Sequence, residues 1–205
     1  MGCHIIDHIV WSLKLGAPES IEGSHSHFVE KVTWDIPRNS ECYPRASVVT
    51  YKFPKREGMP PVKLVWYDGG LKPERPEELE DGREMGDSLG GAIYVGTKGK
   101  IMTGSHGANG ARIIPEKAMQ EYKQPEKTIE RSPGHHKEWT DACKGGKPAL
   151  SNFDYAGPLT ETVLLGNVAL QTGKKLYWNS EEFKFTNDDE ANKLLTKEYR
   201  KGWKI

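Results

Sequence analysis

The sequence predicts an α+β domain with an open, mostly antiparallel β-sheet that carries helices on one face. Three observations support this fold class. Strand-like segments follow one another between residues 21 and 103, without a helical pattern among them. Helical patterns occupy the start of the chain and the part after residue 134. Runs of strands followed by runs of helices are typical of α+β folds.

The first helix is indicated over His4–Leu15, where apolar residues recur three and four positions apart. Gly16 and Pro18 end this pattern, because neither residue favours a continuing helix. The apolar stripe consists of Ile5, Ile6, Ile9, Val10 and Leu13.

The strands are indicated by β-branched and aromatic residues that end at Pro or Gly. Such segments are Val29–Trp34, Ser47–Phe53 and Val62–Tyr67, and the last alternates as in a sheet with one covered face. Residues 92–96 and 100–102 flank Thr97-Lys98-Gly99, which predicts a hairpin turn.

The second half of the chain alternates loops and helices. We expect loops over residues 68–90 and 104–134, the latter with one helical turn near Glu116–Tyr122. Helices are predicted over His135–Lys144 and Pro158–Thr172, with Pro158 in the first turn of the second helix. A short strand at Leu176–Trp178 precedes a charged surface tail over residues 188–205.

Length and charge limit the classes of function. With 205 residues and no clear linker, we expect a single domain over residues 1–205. Lys plus Arg and Asp plus Glu number 29 each, so there is no basic excess for nucleic acid or a membrane surface. Neutrality does not oppose self-association. No apolar stretch of membrane-spanning length occurs, while cytoplasm and export both stay open.

Polar residues on the first helix form the main candidate site. His4, Asp7, His8 and Trp11 have the spacing of one helix face, which we place opposite the apolar stripe. A histidine that titrates near neutrality, with a carboxylate one turn on, suits acid–base chemistry on a hydroxyl group. A solvated polar face is the alternative. His135 and His136 open a later helix and have either a binding or a packing role.

A metal site is a further alternative. His4 and His8 are spaced as zinc ligands on a helix, and His25 and His27 could join them in a metal-dependent lyase or hydrolase. The site lacks the glutamate of the metalloprotease signature, and we expect no metal.

No dinucleotide-binding turn is present. Gly104, Gly107 and Gly110 have the wrong spacing for the glycine-rich turn of a Rossmann fold. We therefore expect no cofactor-binding residue in this chain.

A short motif and four further sequence blocks, in the same order, carry a resemblance to a known family. Met1-Gly2-Cys3-His4-Ile5-Ile6-Asp7 resembles the end of the D-x-G-x-H-x-x-D motif of the Gfo/Idh/MocA oxidoreductases. Further similar blocks are Trp66–Gly70, Gly90–Gly99, Gly134–Trp139 and Phe153–Glu161. The resemblance implies the C-terminal domain of such an enzyme, similar in fold to that of glyceraldehyde-3-phosphate dehydrogenase. We expect the N-terminal Rossmann domain, which binds NAD or NADP in the full-length enzyme, to be missing here.

The resemblance also implies roles for individual residues. His4 matches the catalytic histidine, and Asp7 matches an acid that contacts the substrate. We expect Asp7, His8, Tyr67, His135 and His136 to bind a sugar or polyol. The implied function is substrate binding and homo-oligomerisation through the sheet face, without activity of this chain alone. A stand-alone carbohydrate-binding or assembly module is the alternative.

Overall fold

The computed structural model describes residues 1–26 and 42–203. Within it the chain divides into two compact units. The first unit comprises Met1–Leu13 and Glu74–Thr160, and the second comprises Lys14–Pro73 and Glu161–Ile205. The predicted strand at Val29–Trp34 lies outside the described residues.

The described residues form the following elements: α1 (Gly2–Leu13), β1 (Ser20–His25), β2 (Ser47–Phe53), β3 (Val62–Asp68), β4 (Gly91–Gly96), β5 (Gly99–Gly104), β6 (Arg112–Ile114), α2 (Glu116–Glu121), α3 (His135–Cys143), α4 (Phe153–Thr172), β7 (Lys175–Asn179), β8 (Lys184–Phe185), α5 (Asp189–Asn192) and a 3₁₀ turn (Lys193–Leu195).

The second unit contains a five-stranded antiparallel sheet in the order β3-β2-β1-β7-β8. Alternate residues of its central strands face a core, because side chains along a strand point to opposite sides. One row of this core runs across four strands through Leu64, Tyr51, Ile21 and Leu176, all of which are buried.

The C-terminal part of α4 packs closely on this core face. An added Cβ on Gly23 of β1 would lie 2.9 Å from Leu170 Cδ2 and 3.1 Å from the Ala169 carbonyl carbon. Small residues at the contact thus let the helix backbone approach the sheet. Residues on the other face, such as Thr50 and Val65, stay half-buried.

The end of the chain differs from the predicted surface tail over residues 188–205. Asp188 caps α5 by accepting a hydrogen bond from the Ala191 N–H group at 3.0 Å. The Asn192 amide exchanges two hydrogen bonds with the Phe185 backbone, at 2.7 and 2.9 Å. Ala191 is fully buried, so the prediction of a surface tail is wrong for this short helix.

The first unit contains a three-stranded antiparallel sheet, β4-β5-β6. The predicted hairpin between β4 and β5 is confirmed, as is the helical turn near Glu116–Tyr122, which forms α2. Leu79, Met102 and Ile114 form a buried cluster, against which Met85 and Ile93 pack. Leu79 belongs to the predicted loop, which therefore supplies part of this core.

The start of α4 was predicted wrongly. Asn152 directly precedes the helix and caps it: its backbone carbonyl accepts from the N–H groups of Tyr155 and Ala156, and its Oδ1 atom accepts from the Asp154 N–H at 3.0 Å. Pro158 consequently lies inside the helix rather than in its first turn. The helix begins five residues earlier because the asparagine satisfies amide groups that would otherwise lack partners.

The predicted fold class is confirmed: helices accompany antiparallel sheets that do not close into a barrel. The expectation of one sheet is wrong, however, because β4, β5 and β6 form a sheet separate from the five-stranded sheet of β1, β2, β3, β7 and β8. The single domain over residues 1–205 stays a prediction.

Candidate functional site

Helix α1 buries one side within its 12 residues. Ile5, Ile6 and His8 are buried, whereas His4 and Trp11 are exposed. The prediction that His8 shares the exposed face with His4 is therefore wrong. His8 lies three residues after Ile5, which is only about 60° around the helix axis, and so falls at the margin of the apolar stripe.

His8 contacts Tyr94 of β4. Its Nδ1 atom lies 2.6 Å from the Tyr94 hydroxyl, and its buried Nε2 atom has no hydrogen-bond partner among the described residues. Burial lowers the pKa of His8 below its ordinary value, and the nearby Asp7 carboxylate only partly opposes this. His8 is 7% exposed, so it packs on the buried side of α1 and presents little surface to a ligand.

Asp7 is held by Tyr155 of α4. The Tyr155 hydroxyl donates to Asp7 Oδ1 at 2.6 Å and approaches the Asp7 carbonyl oxygen at 3.3 Å. Burial, and then the Asp7 carboxylate, raise the pKa of Tyr155 above its ordinary value. The tyrosine therefore stays a hydrogen-bond donor that fixes the carboxylate.

His4 is exposed and faces a second histidine that the sequence reasoning did not single out. The imidazole centroids of His4 and His106 lie 5.3 Å apart, with an angle of 39° between the rings. His106 follows β5 in the segment Gly104-Ser105-His106-Gly107. Two imidazoles, each able to donate and accept hydrogen bonds, thus lie side by side.

Ser105 and Asp87 extend this group. The Ser105 Oγ atom lies 2.9 Å from His106 Nδ1 and donates to Asp87 Oδ2 at 2.9 Å. Asp87 also lines a surface cavity of about 310 Å³ within the first unit, together with Thr103 and Asn109. The site therefore consists of an imidazole pair, an anchored carboxylate on α1, and a second anchored carboxylate behind His106.

A comparison with known families matches residues 87–205 to a family described as the C-terminal alpha/beta domain of the Gfo/Idh/MocA oxidoreductases. The match covers more than half of the chain. This chain belongs to the Gfo/Idh/MocA oxidoreductase family. No curated protein matches the chain closely enough to be named as a relative.

The remaining predicted site residues lie elsewhere in this Gfo/Idh/MocA domain. His135 and His136 are exposed at the start of α3, with ring centroids 4.0 Å apart. Within residues 1–26 and 42–203, no hydrogen bond or ring contact joins either imidazole to His4 or Asp7. Tyr67 lies half-buried on β3, opposite Val48 of β2, in the second unit.

A metal site receives no geometric support in the described part of the chain. There, no group of three or more His, Cys, Asp or Glu side chains is arranged to hold a metal ion. His27, one of the four histidines considered as ligands, lies outside the described residues. In the same part of the chain, no helix is long and apolar enough to cross a membrane.

His106, Ser105, Asp87 and Tyr155 are the site residues that the sequence reasoning missed. Tyr155 belongs to a block that resembles the family, but its sequence position gives no sign of a contact with Asp7. The sequence signal at His106 is a Ser-His pair between two glycines.

Proposed function

We propose that this chain is the substrate-binding and oligomerisation domain of an NAD(P)-dependent sugar or polyol oxidoreductase. The observation that supports the proposal best is the pairing of an exposed imidazole, His4, with an anchored carboxylate, Asp7, one helical turn away. The family to which the chain belongs is a family of oxidoreductases. The proposed substrate class rests on the chemistry of this site.

A sugar hydroxyl needs both a donor and an acceptor to be bound. The two carboxylate oxygens of Asp7 can accept hydrogen bonds, and the Tyr155 hydroxyl donates to one of them, Oδ1. The His4 imidazole has a ring nitrogen that can accept a hydroxyl proton. A vicinal pair of hydroxyls could therefore be held with one hydroxyl at His4 and its neighbour at Asp7.

The roles of the residues follow from these contacts. His4 assists removal of the hydroxyl proton during oxidation, and Asp7 orients the neighbouring hydroxyl. His8 supports α1 from its buried side through Tyr94. His135 and His136 stay proposed contacts for more distant parts of the substrate, and the binding role of Tyr67 stays a prediction.

We propose that this domain does not bind a nicotinamide cofactor by itself. The glycine-rich segment 104–110 lies between β5 and β6, not between a strand and a helix N-terminus. It therefore does not form the turn that binds a pyrophosphate in dinucleotide-binding folds. In our proposal a separate nucleotide-binding domain supplies NAD or NADP, and no hydride step is assigned to residues of this chain.

The oligomerisation role concerns the sheet of the second unit. On the face opposite the core row, Val48, Thr50, Val65, Tyr67 and Tyr177 are half-buried or exposed. This mixture of β-branched and aromatic side chains suits contact with a second copy, and a net charge of zero does not oppose it.

The test uses the protein in which this domain accompanies a nucleotide-binding domain. Monosaccharides and cyclic polyols are supplied with NAD⁺ or NADP⁺, and formation of reduced nicotinamide is followed. We expect turnover that His4→Ala lowers by about 100-fold or more, the usual scale for a proton-transfer group. Sugar binding without any turnover, unchanged by His4→Ala, would favour a carbohydrate-binding module instead.

A further inference from the structure

We propose that His106 is a further substrate-binding residue of this site. Ser105 and Asp87 hold its ring as the Nδ1–H tautomer, so that Nε2 accepts a hydrogen bond from a substrate hydroxyl beside His4. This inference rests on the proposed function, since it assumes a polyhydroxylated ligand at the site.

The first step is the Asp87 carboxylate, which is surrounded by donors. The Leu89 N–H donates to Oδ1 at 2.9 Å, and the N–H and hydroxyl groups of Ser105 donate to Oδ2 at 2.8 and 2.9 Å. The hydrogen bond from the Ser105 backbone, followed by that from Leu89, lowers the pKa of Asp87 below its ordinary value. Asp87 is therefore ionised near neutral pH and can only accept hydrogen bonds.

The second step is the Ser105 hydroxyl, which has a single proton. Ser105 is 1% exposed, so solvent does not compete for its hydroxyl. Its proton points to Asp87, which cannot donate one in return. The Oγ atom then offers only lone pairs to His106 Nδ1 at 2.9 Å, and Nδ1 must be the donor.

The third step is the ring of His106 itself. With the proton on Nδ1, the neutral imidazole carries its lone pair on Nε2. His106 is exposed, and within the described residues Nε2 makes no hydrogen bond to protein. Its ring lies 5.3 Å from that of His4, so both imidazoles are within reach of one small polyol.

Glycine at position 104 makes this arrangement possible. An added Cβ there would lie 2.6 Å from Asp87 Oδ2 and 3.0 Å from the Asn109 carbonyl oxygen. A larger residue would push Asp87 away from Ser105. The absence of a side chain at Gly104 thus leaves room for the Asp87 carboxylate to accept the hydrogen bond from Ser105, which in turn orients His106.

The first experiment determines the His106 tautomer without any ligand. The 205-residue chain is labelled with ¹⁵N-histidine, and long-range ¹H–¹⁵N correlations are recorded above the titration range of histidine. We expect His106 to show the Nδ1–H pattern, and Ser105→Ala to move it toward Nε2–H, the usual preference of a free imidazole. Ser88→Ala, which removes an exposed hydroxyl next to Asp87, should leave the pattern unchanged. An Nε2–H pattern in the unsubstituted chain would overturn the inference.

The second experiment measures binding of D-glucose, D-xylose and myo-inositol to the same chain by chemical-shift titration. For a probe that binds, we expect His106→Ala to weaken binding about fivefold to tenfold, the effect of one lost hydrogen bond. Ser105→Ala should weaken it less, and Ser88→Ala not at all. Binding that depends on His4 but not on His106 would overturn the inference and leave the proposed function standing. No binding of any probe would count against both.

Discussion

The Tyr155 hydroxyl donates a hydrogen bond of 2.6 Å to Oδ1 of Asp7, which lies 148 residues earlier in the chain. The contact joins α1 to the N-terminal part of α4 inside the first unit. The half-buried Asp7 carboxylate, which could otherwise change its rotamer, is thereby held in one position. Positioning of this kind accounts for a large part of enzymatic rate enhancement.

Tyr155→Phe tests the structural value of this hydrogen bond. The substitution keeps the ring and removes the donor, and we expect a loss of about 1–2 kcal/mol in the free energy of unfolding, the usual range for such a bond. Chemical denaturation measures the change. Tyr122→Phe, at an exposed tyrosine of the same unit, is the matched control and should change the value by less than about 0.5 kcal/mol. Equal effects of the two substitutions would refute the contact.

The buried His8 predicts a dependence of stability on pH. Its pKa in the folded chain is lower than the ordinary value of 6.5, so the unfolded chain binds a proton more readily. The stabilisation is complete above that value and is lost as the pH falls through it toward the folded pKa. Denaturation at about pH 7.5 and about pH 5 should show this loss.

His8→Gln is the variant that isolates this effect. Glutamine has no titrating group and can still hydrogen-bond the Tyr94 hydroxyl. We expect the variant to lose less stability than the unsubstituted chain between the same two pH values, while the other histidines contribute equally to both. An identical loss in the two proteins would show that His8 does not titrate differently on folding.

Gly166→Ala tests the packing of α4 on the five-stranded sheet. An added Cβ at Gly166 would overlap the hydroxyl of the buried Tyr51 and lie 3.1 Å from its Cζ atom. We expect a loss of about 2 kcal/mol or more in the free energy of unfolding, as for other overpacked contacts. Thermal or chemical denaturation gives the value.

Gly157→Ala in the same helix is the control for that substitution. Nothing lies within 4 Å of an added Cβ at Gly157, and the position is exposed. Alanine favours a helix interior by up to about 1 kcal/mol over glycine, so this variant should be neutral or more stable. A comparable loss at both positions would mean that Tyr51 does not limit the space at Gly166.

Self-association through the open sheet face predicts a dimer or larger species in sedimentation at micromolar concentration. Val65→Lys places a charge at the middle of the edge strand β3, opposite Thr50, and should shift the protein toward the monomer without unfolding it. Glu57→Lys introduces a lysine at an exposed loop position, with a charge change of two units rather than one, and should have no such effect. A monomer before any substitution would contradict the proposed interface.

The sequence predicted those features that depend on local pattern. The isoleucine spacing located α1, and the alternation of Val62–Tyr67 located β3, because helix and strand periods show directly in the chain. Short elements such as β6 and β8 contain too few residues to establish a period. The prediction placed the start of α4 at Pro158, which is too late in the chain. Proline also occurs inside helices when packing compensates for the backbone hydrogen bond that it cannot donate.

The site was predictable only in its first helix. His4 and Asp7 lie one turn apart in sequence, and this spacing is visible without a structure. His106 and Tyr155 reach them from residues far along the chain, and such contacts depend on tertiary packing. The sequence did not predict the burial of His8, because a residue at the margin of an apolar stripe can be buried or exposed. The contact with the Tyr94 hydroxyl accompanies its burial here.

The order of the two units along the chain has a consequence for biosynthesis. The first unit needs both α1 and Tyr155, and all of Lys14–Pro73 of the second unit is made between them. At about 5–20 residues per second, α1 waits roughly 7–30 seconds on the ribosome before Tyr155 follows it. Gly90, which lies beside Ile5, and Tyr94, which contacts His8, are made before Tyr155, so we expect the buried side of α1 to find its neighbours earlier than Asp7 finds its anchor.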